Sequence, residues 1–213
     1  MEFTQDWFTP NIPNWTRLLA ELRGRAGVRA LEIGSFEGRS ACWLLENILT
    51  GPGAHLDCVD TFTGAVEQRI GFDASGIRAR FDANIAQWRE QVTTHVGESG
   101  DVLRVLSDAY DFIYIDGSHL APDVLSDAVL AWRLLKPGGI LIFDDLLWDL
   151  LPRPEQRPGI AIRSFLLCHA GWFDLLRVDG QVAIRKRAAY EADALRQTQP
   201  TSIFEGSTVK FQV

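Results

Sequence analysis

The stretch YDFIYIDGSHLAPD, residues 110–123, ends an apolar run with an acid and a histidine three residues apart, Asp116 and His119. A second apolar run, ILIFDD, ends in Asp144 and Asp145. Histidine has an unperturbed pKa near neutrality, which suits a general base. Carboxylates that are brought together raise each other's pKa values, and a divalent cation such as magnesium relieves their repulsion. These residue types therefore indicate proton transfer beside an acidic site.

Alternating strands and helices are predicted to position these residues. The predicted strands cover residues 28–34, 54–61, 92–98, 110–116 and 140–145, and two more lie within residues 172–187. The predicted helices cover residues 39–49, 77–88, 100–107, 122–135 and 160–170. This order predicts an α/β fold, a Rossmann-like, doubly wound and mostly parallel seven-stranded sheet. The dipeptide Asp179-Gly180 predicts a C-terminal antiparallel hairpin, and KPGG, residues 136–139, is predicted to end the preceding helix.

The same pattern predicts the domain organisation. Residues 1–187 form a single predicted domain, which begins with an N-terminal cap segment at residues 1–27. Residues 188–213 form a polar C-terminal tail that ends in TVKFQV, an alternation typical of an edge strand or of a surface that pairs with a second chain. In this fold the fourth and fifth strands are neighbours, so their acidic ends are expected to lie close together at the same edge of the sheet.

Charge and composition argue against several classes of function. A net charge of −7 over 213 residues is unlike that of nucleic-acid binders, which carry basic patches, and it favours a small-molecule partner. No apolar run approaches the roughly 18 residues of a membrane span, and the acidic, aromatic start does not resemble a signal peptide. The three cysteines show no CxxC pairing and are interpreted as buried free thiols. The chain is therefore expected to be cytoplasmic, with no membrane partner.

The segment LEIGSFEGRS, which ends the first strand and forms the turn after it, is suited to binding a nucleotide. Gly34 permits a close backbone approach to a ligand, and Gly38 opens a helix whose amides favour a negative group. Asp60, at the end of the second strand, can accept both hydroxyls of a ribose. A dinucleotide enzyme would need G-x-G-x-x-G here, but Phe36 and Arg39 replace two of those glycines, which argues against a nicotinamide cofactor.

Four motifs in order, LEIGSFEGRS, VDTFTG, YDFIYIDGSH and LLKPGGILIFDD, resemble those of the class I S-adenosylmethionine-dependent methyltransferases. More narrowly, they resemble a bacterial branch with the turn E-I-G-S-x-E-G-x-S and the strand end D-G-S-H. The resemblance extends over most of the chain, from Trp7 to Arg187, and it implies S-adenosylmethionine as the cofactor. The residues that it implies around the cofactor are Glu32, Gly34, Ser35, Phe36, Gly38, Ser40, Asp60, Thr61, Glu98, Ser99 and Asp116.

The acidic strand ends also resemble those of magnesium-dependent small-molecule O-methyltransferases. The resemblance implies that Asp116, Asp144 and Asp145 bind Mg²⁺, which lowers the pKa of the acceptor hydroxyl. It implies that His119 is the base, with Asp116 beside it as the second catalytic residue. Other interpretations stay open: Asp116 as a cofactor contact or turn cap, the acid pair as a solvated loop start, and His119 as a residue that orients its loop.

Three functions are compatible with these features. The first is metal-assisted O-methylation of a small hydroxylated acceptor, either a sugar or a natural product. The second is a metal-independent methyltransferase in which the acids only shape the pocket, and the third is a partner protein that binds the cofactor without catalysis. A homodimer is the prior expectation for such enzymes. Trp148 is interpreted either as a wall of the acceptor pocket or as part of the core.

Overall fold

The computed structural model describes residues 1–64 and 74–190 of the chain. Its seven strands are β1 Arg29–Ile33, β2 His55–Asp60, β3 Val92–Val96, β4 Tyr110–Ile115, β5 Leu135–Phe143, β6 Phe173–Val178 and β7 Val182–Lys186. Its α-helices are α1 Ile12–Leu18, α2 Arg39–Asn47, α3 Ile77–Asn84, α4 Ser99–Val105, α5 Ala121–Leu134 and α6 Pro158–Cys168.

The strands form one sheet in the order β3-β2-β1-β4-β5-β7-β6. Strands β1 to β5 are parallel, and β7 pairs antiparallel with both β5 and β6. The predicted fold, mostly parallel with a C-terminal hairpin, is confirmed. The chain winds outward in both directions from β1 and β4, and such a switch point forms a crevice at the carboxyl ends of the strands.

The central strands are buried on both faces because helices cover the sheet on each side. Successive residues of β4 belong to opposite hydrophobic clusters, with Phe112 in one and Ile113 in the other. Trp15 of α1 is fully buried, and its ring meets the rings of Phe112 and Tyr114 edge-on. The N-terminal segment is therefore part of the core and is packed directly beneath the end of β4.

The boundary between α5 and β5 differs from the prediction. The helix ends at Leu134 and the strand begins at Leu135, so that KPGG lies inside β5 instead of ending the helix. Pro137 has no amide hydrogen and Gly138 adopts a φ of +82°, so this part of the strand cannot form a regular ladder. The register with β4 accordingly shifts between Tyr110 and Phe112.

Other sequence-based predictions have mixed outcomes. Cys42 and Cys58 are buried as predicted, but Cys168 is exposed because it lies on the outer side of the last turn of α6. Most of the predicted tail, including TVKFQV, lies outside the described residues. Within residues 1–64 and 74–190, every helix is too short or too polar to cross a membrane.

Candidate active site

A cavity of about 870 Å³ opens at the carboxyl ends of the parallel strands. Its walls are the turn after β1, the ends of β2 to β5 and part of the N-terminal segment. The predicted site residues that line it are Gly34, Ser35, Phe36, Ser40, Asp60, Thr61, Glu98, Ser99, Asp116, His119, Asp144 and Asp145. The structure thus brings most of the predicted residues together, whereas Glu32 and Gly38 lie outside the cavity lining.

The turn after β1 is shaped by a close approach to the end of β4. A Cβ atom added to Gly34, whose φ is +86°, would lie 2.0 Å from the carbonyl oxygen of Asp116. Only glycine fits there. Phe36 also has a positive φ, +48°, which is uncommon for a bulky residue and is typical of functional sites. Gly38, with a φ of +80°, immediately precedes α2 and supports the turn from outside the cavity.

Asp60 fixes this turn through backbone amides. Its Oδ2 accepts hydrogen bonds from the amides of Ser35 and Phe36, at 2.8 and 2.7 Å, and its Oδ1 accepts one from Phe62 at 2.6 Å. A carboxylate has about four acceptor positions, so about one is left for a ligand. Accepting both hydroxyls of a ribose, as predicted, would require one of these amides to be released.

Glu32 lies beneath the turn instead of in the cavity. Its side chain is fully buried, and it accepts hydrogen bonds from the Ser40 hydroxyl at 2.5 Å and from the Cys58 thiol at 3.7 Å. Burial raises the pKa of Glu32 to about 7. Because Glu32 does not reach the cavity, the structure assigns it a supporting role through Ser40, in place of the predicted cofactor contact.

The N-terminal segment forms one wall of the cavity. Thr4 donates both its amide and its hydroxyl to the buried Glu37 carboxylate, at 2.6 and 2.8 Å, and Arg80 pairs with the same carboxylate at 2.5 Å. Trp7 packs on Phe36 with ring centroids 5.2 Å apart. The predicted cap segment is therefore anchored to the turn after β1 and to α3.

The acids at the ends of β4 and β5 are linked through Tyr114. Its hydroxyl lies 2.8 Å from Oδ2 of Asp116 and also contacts Oδ2 of Asp144. Gln181, just before β7, donates its side-chain amide to Asp144 at 2.9 Å. Burial raises the pKa of Asp116 well above its usual value, and the charges of Asp144 and Asp145 raise it further. Burial and the charge of Asp145 also raise the pKa of Asp144.

His119 is held by Asp145 and Trp148. Its Nε2 lies 2.9 Å from Oδ2 of Asp145, and its ring stacks on Trp148 with centroids 4.5 Å apart. Asp145 has a φ of +63°, a conformation that a non-glycine residue adopts at an energetic cost and that often marks a functional site. Trp148 lines the cavity, which favours a pocket wall over a core position.

The predicted metal ligands have suitable chemistry, but their side chains are engaged by other residues. Carboxylate oxygens are the ligands that Mg²⁺ prefers, and a bound cation would favour the ionised form of these carboxyl groups, whose pKa values are raised by burial and by one another. Among the described residues, however, no three acidic, histidine or cysteine side chains stand close enough together to hold a metal ion. Tyr114 and Gln181 engage Asp144, while His119 engages Asp145.

Three further residues, which line the cavity or contact a residue that lines it, were not identified from the sequence. Tyr114 could have been found, because it precedes Asp116 by two residues on a strand and so shares its face. Gln181 reaches Asp144 only through the pairing of β7 with β5, and Asp127 lines the cavity only through the packing of α5 against α4. No local pattern in the sequence indicates either contact.

Comparison with known families identifies the class. Residues 31–146, more than half of the chain, match the family model of a methyltransferase domain. The chain belongs to this family, and the predicted class I S-adenosylmethionine-dependent methyltransferase is confirmed. A comparison with curated proteins found no match.

Solved structures with the same fold are similar over most of their length. A proposed O-methyltransferase of Klebsiella pneumoniae has a TM-score of 0.64 at 19% identity, over 87% of this chain and 84% of that one. The O-methyltransferase TomG of Streptomyces achromogenes, involved in tomaymycin synthesis and solved with S-adenosylmethionine, has a TM-score of 0.60 at 20% identity, over 83% and 80%. An O-methyltransferase of Bacillus cereus, solved with S-adenosylhomocysteine, has a TM-score of 0.61 at 21% identity, over 86% and 84%.

Proposed function

We propose that this enzyme transfers a methyl group from S-adenosylmethionine to a hydroxyl of a small acceptor, either a sugar or a natural product. The observation that carries the proposal is the pair of His119 and Asp145, which opens into the same cavity as the turn after β1 and Asp60. The similar proteins of Streptomyces achromogenes and Bacillus cereus are O-methyltransferases solved with this cofactor or its product, which supports the same reaction class here.

In this proposal His119 is the general base. Asp145 accepts the Nε2 hydrogen, so the basic lone pair of the neutral ring is on Nδ1. Nδ1 takes the proton of the acceptor hydroxyl while the oxygen forms a bond to the methyl carbon. The bond between that carbon and the sulfonium breaks, which leaves S-adenosylhomocysteine. The protein contributes mainly by holding the two reactants in line.

The cofactor is proposed to run along the carboxyl ends of β4, β1, β2 and β3. Its methionine part lies against the turn from Gly34 to Ser40, and its ribose against Asp60 and Thr61. Its adenine lies beside Glu98 and Ser99 after β3. Asp116, next to Gly34, then stands between the cofactor and the acceptor.

The proposal also includes a metal ion that assists the methyl transfer. Asp116, Asp144 and Asp145 would hold Mg²⁺ once Asp144 turned away from Tyr114, while Asp145 kept its contact with His119 through Oδ2. When bound, the ion would supply positive charge that lowers the pKa of the acceptor hydroxyl. A metal-independent enzyme, in which Tyr114 keeps its contacts with Asp116 and Asp144, is the alternative.

The proposed partners follow from the surface chemistry. An acidic chain with a net charge of −7 suits a small acceptor better than a nucleic acid. We propose a cytoplasmic enzyme with no membrane partner, and a homodimer as its working oligomeric state.

The experiment that tests the proposal uses S-adenosylmethionine labelled in its methyl group. The purified enzyme is incubated with a small-molecule extract and with panels of sugars and phenols, and the products are analysed by mass spectrometry. We expect labelled products that carry one additional methyl group on oxygen. Label on nitrogen, on carbon or only on macromolecules would contradict the proposed acceptor class.

A further inference from the structure

Asp127 is a buried acid of the cavity that the proposed mechanism does not use. It lies on α5 and is 1% exposed, yet it lines the cavity beside Ser99, Gly100 and Ser126. Neither of its carboxylate oxygens has a hydrogen-bond partner in the part of the chain that the structure describes. A buried polar group without a partner is costly and needs an explanation, such as a ligand that supplies the partner.

The surroundings of Asp127 favour a ligand group that donates hydrogen bonds. Burial raises the pKa of Asp127 to about 7, and the charges of Asp123 and Glu98 act in the same direction. The neighbouring hydroxyl of Ser99 acts in the opposite direction. An ionised carboxylate only accepts hydrogen bonds. A donor placed here would therefore gain a partner and relieve the cost of burial.

Asp127 lies at the end of the cavity where the adenine of the cofactor is proposed to bind. The reacting end of the cavity lies at β4 and β5, where His119 and Asp145 stand. Asp127 lies at the other end, where α5 packs against α4, the helix that follows β3. A nucleoside whose ribose lay against Asp60 would therefore direct its base toward this end of the cavity. The base of S-adenosylmethionine carries an exocyclic amino group, which is a donor.

We propose that Asp127 recognises the cofactor by accepting a hydrogen bond from the amino group of its adenine. This inference rests on the proposed binding of S-adenosylmethionine and adds a residue that determines cofactor specificity. A base that carries an oxo group at the same position places a hydrogen-bond acceptor against the Asp127 carboxylate, which can also only accept. It leaves Asp127 unpaired and faces electrostatic repulsion.

The test is a calorimetric comparison of two ligands. S-adenosylhomocysteine carries the amino group, whereas S-inosylhomocysteine carries an oxo group in its place and a hydrogen on the neighbouring ring nitrogen, N1. The wild-type protein is expected to bind the adenosyl ligand at least about 100-fold more tightly, because sites built around a hydrogen bond reject ligands that cannot make it. Equal affinities in the wild type would overturn the inference, whereas binding of neither ligand would instead contradict the proposed cofactor.

The variant Asp127→Asn separates recognition from a structural role, because its amide can donate to an oxo group. We expect the preference to fall below about 10-fold, through weaker binding of the adenosyl ligand and tighter binding of the inosyl ligand. Asp127→Ser, whose hydroxyl both donates and accepts, provides a second variant. Asp123→Asn removes the same charge one turn earlier on α5 and is expected to keep the wild-type preference.

Two results would overturn the inference. The first is a parallel loss of affinity for both ligands in Asp127→Asn and Asp127→Ser, which is the behaviour of a residue that only supports the fold. The second is an equal change of preference in Asp123→Asn, which would indicate a general effect of charge instead of contact with the base.

Discussion

Replacing His119 with alanine is expected to lower turnover by about 100- to 10,000-fold while the affinity for S-adenosylhomocysteine changes little. General base catalysis typically contributes a factor of this size, and the variant removes the group that takes the acceptor proton. The cofactor is proposed to bind at the turn after β1, away from the ring of His119. Turnover is measured with the acceptor found in the labelling experiment, and affinity by calorimetry.

The control for this substitution is His55→Ala. His55 lies at the start of β2, at the opposite end of the strands from the cavity, and it contacts Thr93. Its removal is expected to leave turnover unchanged. Wild-type turnover in His119→Ala would rule out the proposed base, and a matching loss of cofactor affinity would indicate that His119 helps to bind the cofactor.

Replacing Asp145 with asparagine is expected to lower turnover by at least about 10- to 100-fold and to abolish any response to Mg²⁺. Asp145 has two proposed tasks, because it orients His119 and would also bind the metal. Turnover is measured against the Mg²⁺ concentration, after treatment with EDTA, for wild type and variant. Wild-type activity is expected to fall in EDTA and to return with Mg²⁺.

The outcomes separate the two tasks of Asp145. Low turnover with an unchanged Mg²⁺ response in the variant would show that Asp145 only orients His119. A wild-type enzyme that keeps its full activity in EDTA would favour the metal-independent alternative. Asp149→Asn, at an exposed acid of the same loop, is the matched control and is expected to behave as wild type.

The site residues that are best predicted from the sequence are those at the ends of strands. Asp116, Asp144 and Asp145 could be placed together because neighbouring parallel strands end at the same edge of a sheet, and His119 follows one of them closely. The side on which a residue of a buried strand lies is harder to predict, because such strands are apolar on both faces. Glu32 illustrates this: it was expected beside the cofactor, but it lies beneath the turn.

Long-range contacts explain the residues that were missed. Gln181 contacts Asp144 only because β7 inserts between β5 and β6, and its distance along the chain gives no indication of this. Asp127 has the spacing of an ordinary helical residue, and only the packing of α5 against α4 buries it at the cavity. The start of β5 at Leu135 was missed for a related reason, since the pairing with β4 overrides the local signal of KPGG.

The measurement that tests the central claim most directly is a calorimetric titration of the purified protein with S-adenosylhomocysteine in magnesium buffer. The account predicts one binding site per chain with micromolar or tighter affinity, because the cavity at the ends of β1 to β4 is proposed to hold the cofactor. A folded protein, free of bound ligand, that shows no binding would contradict this account of the site.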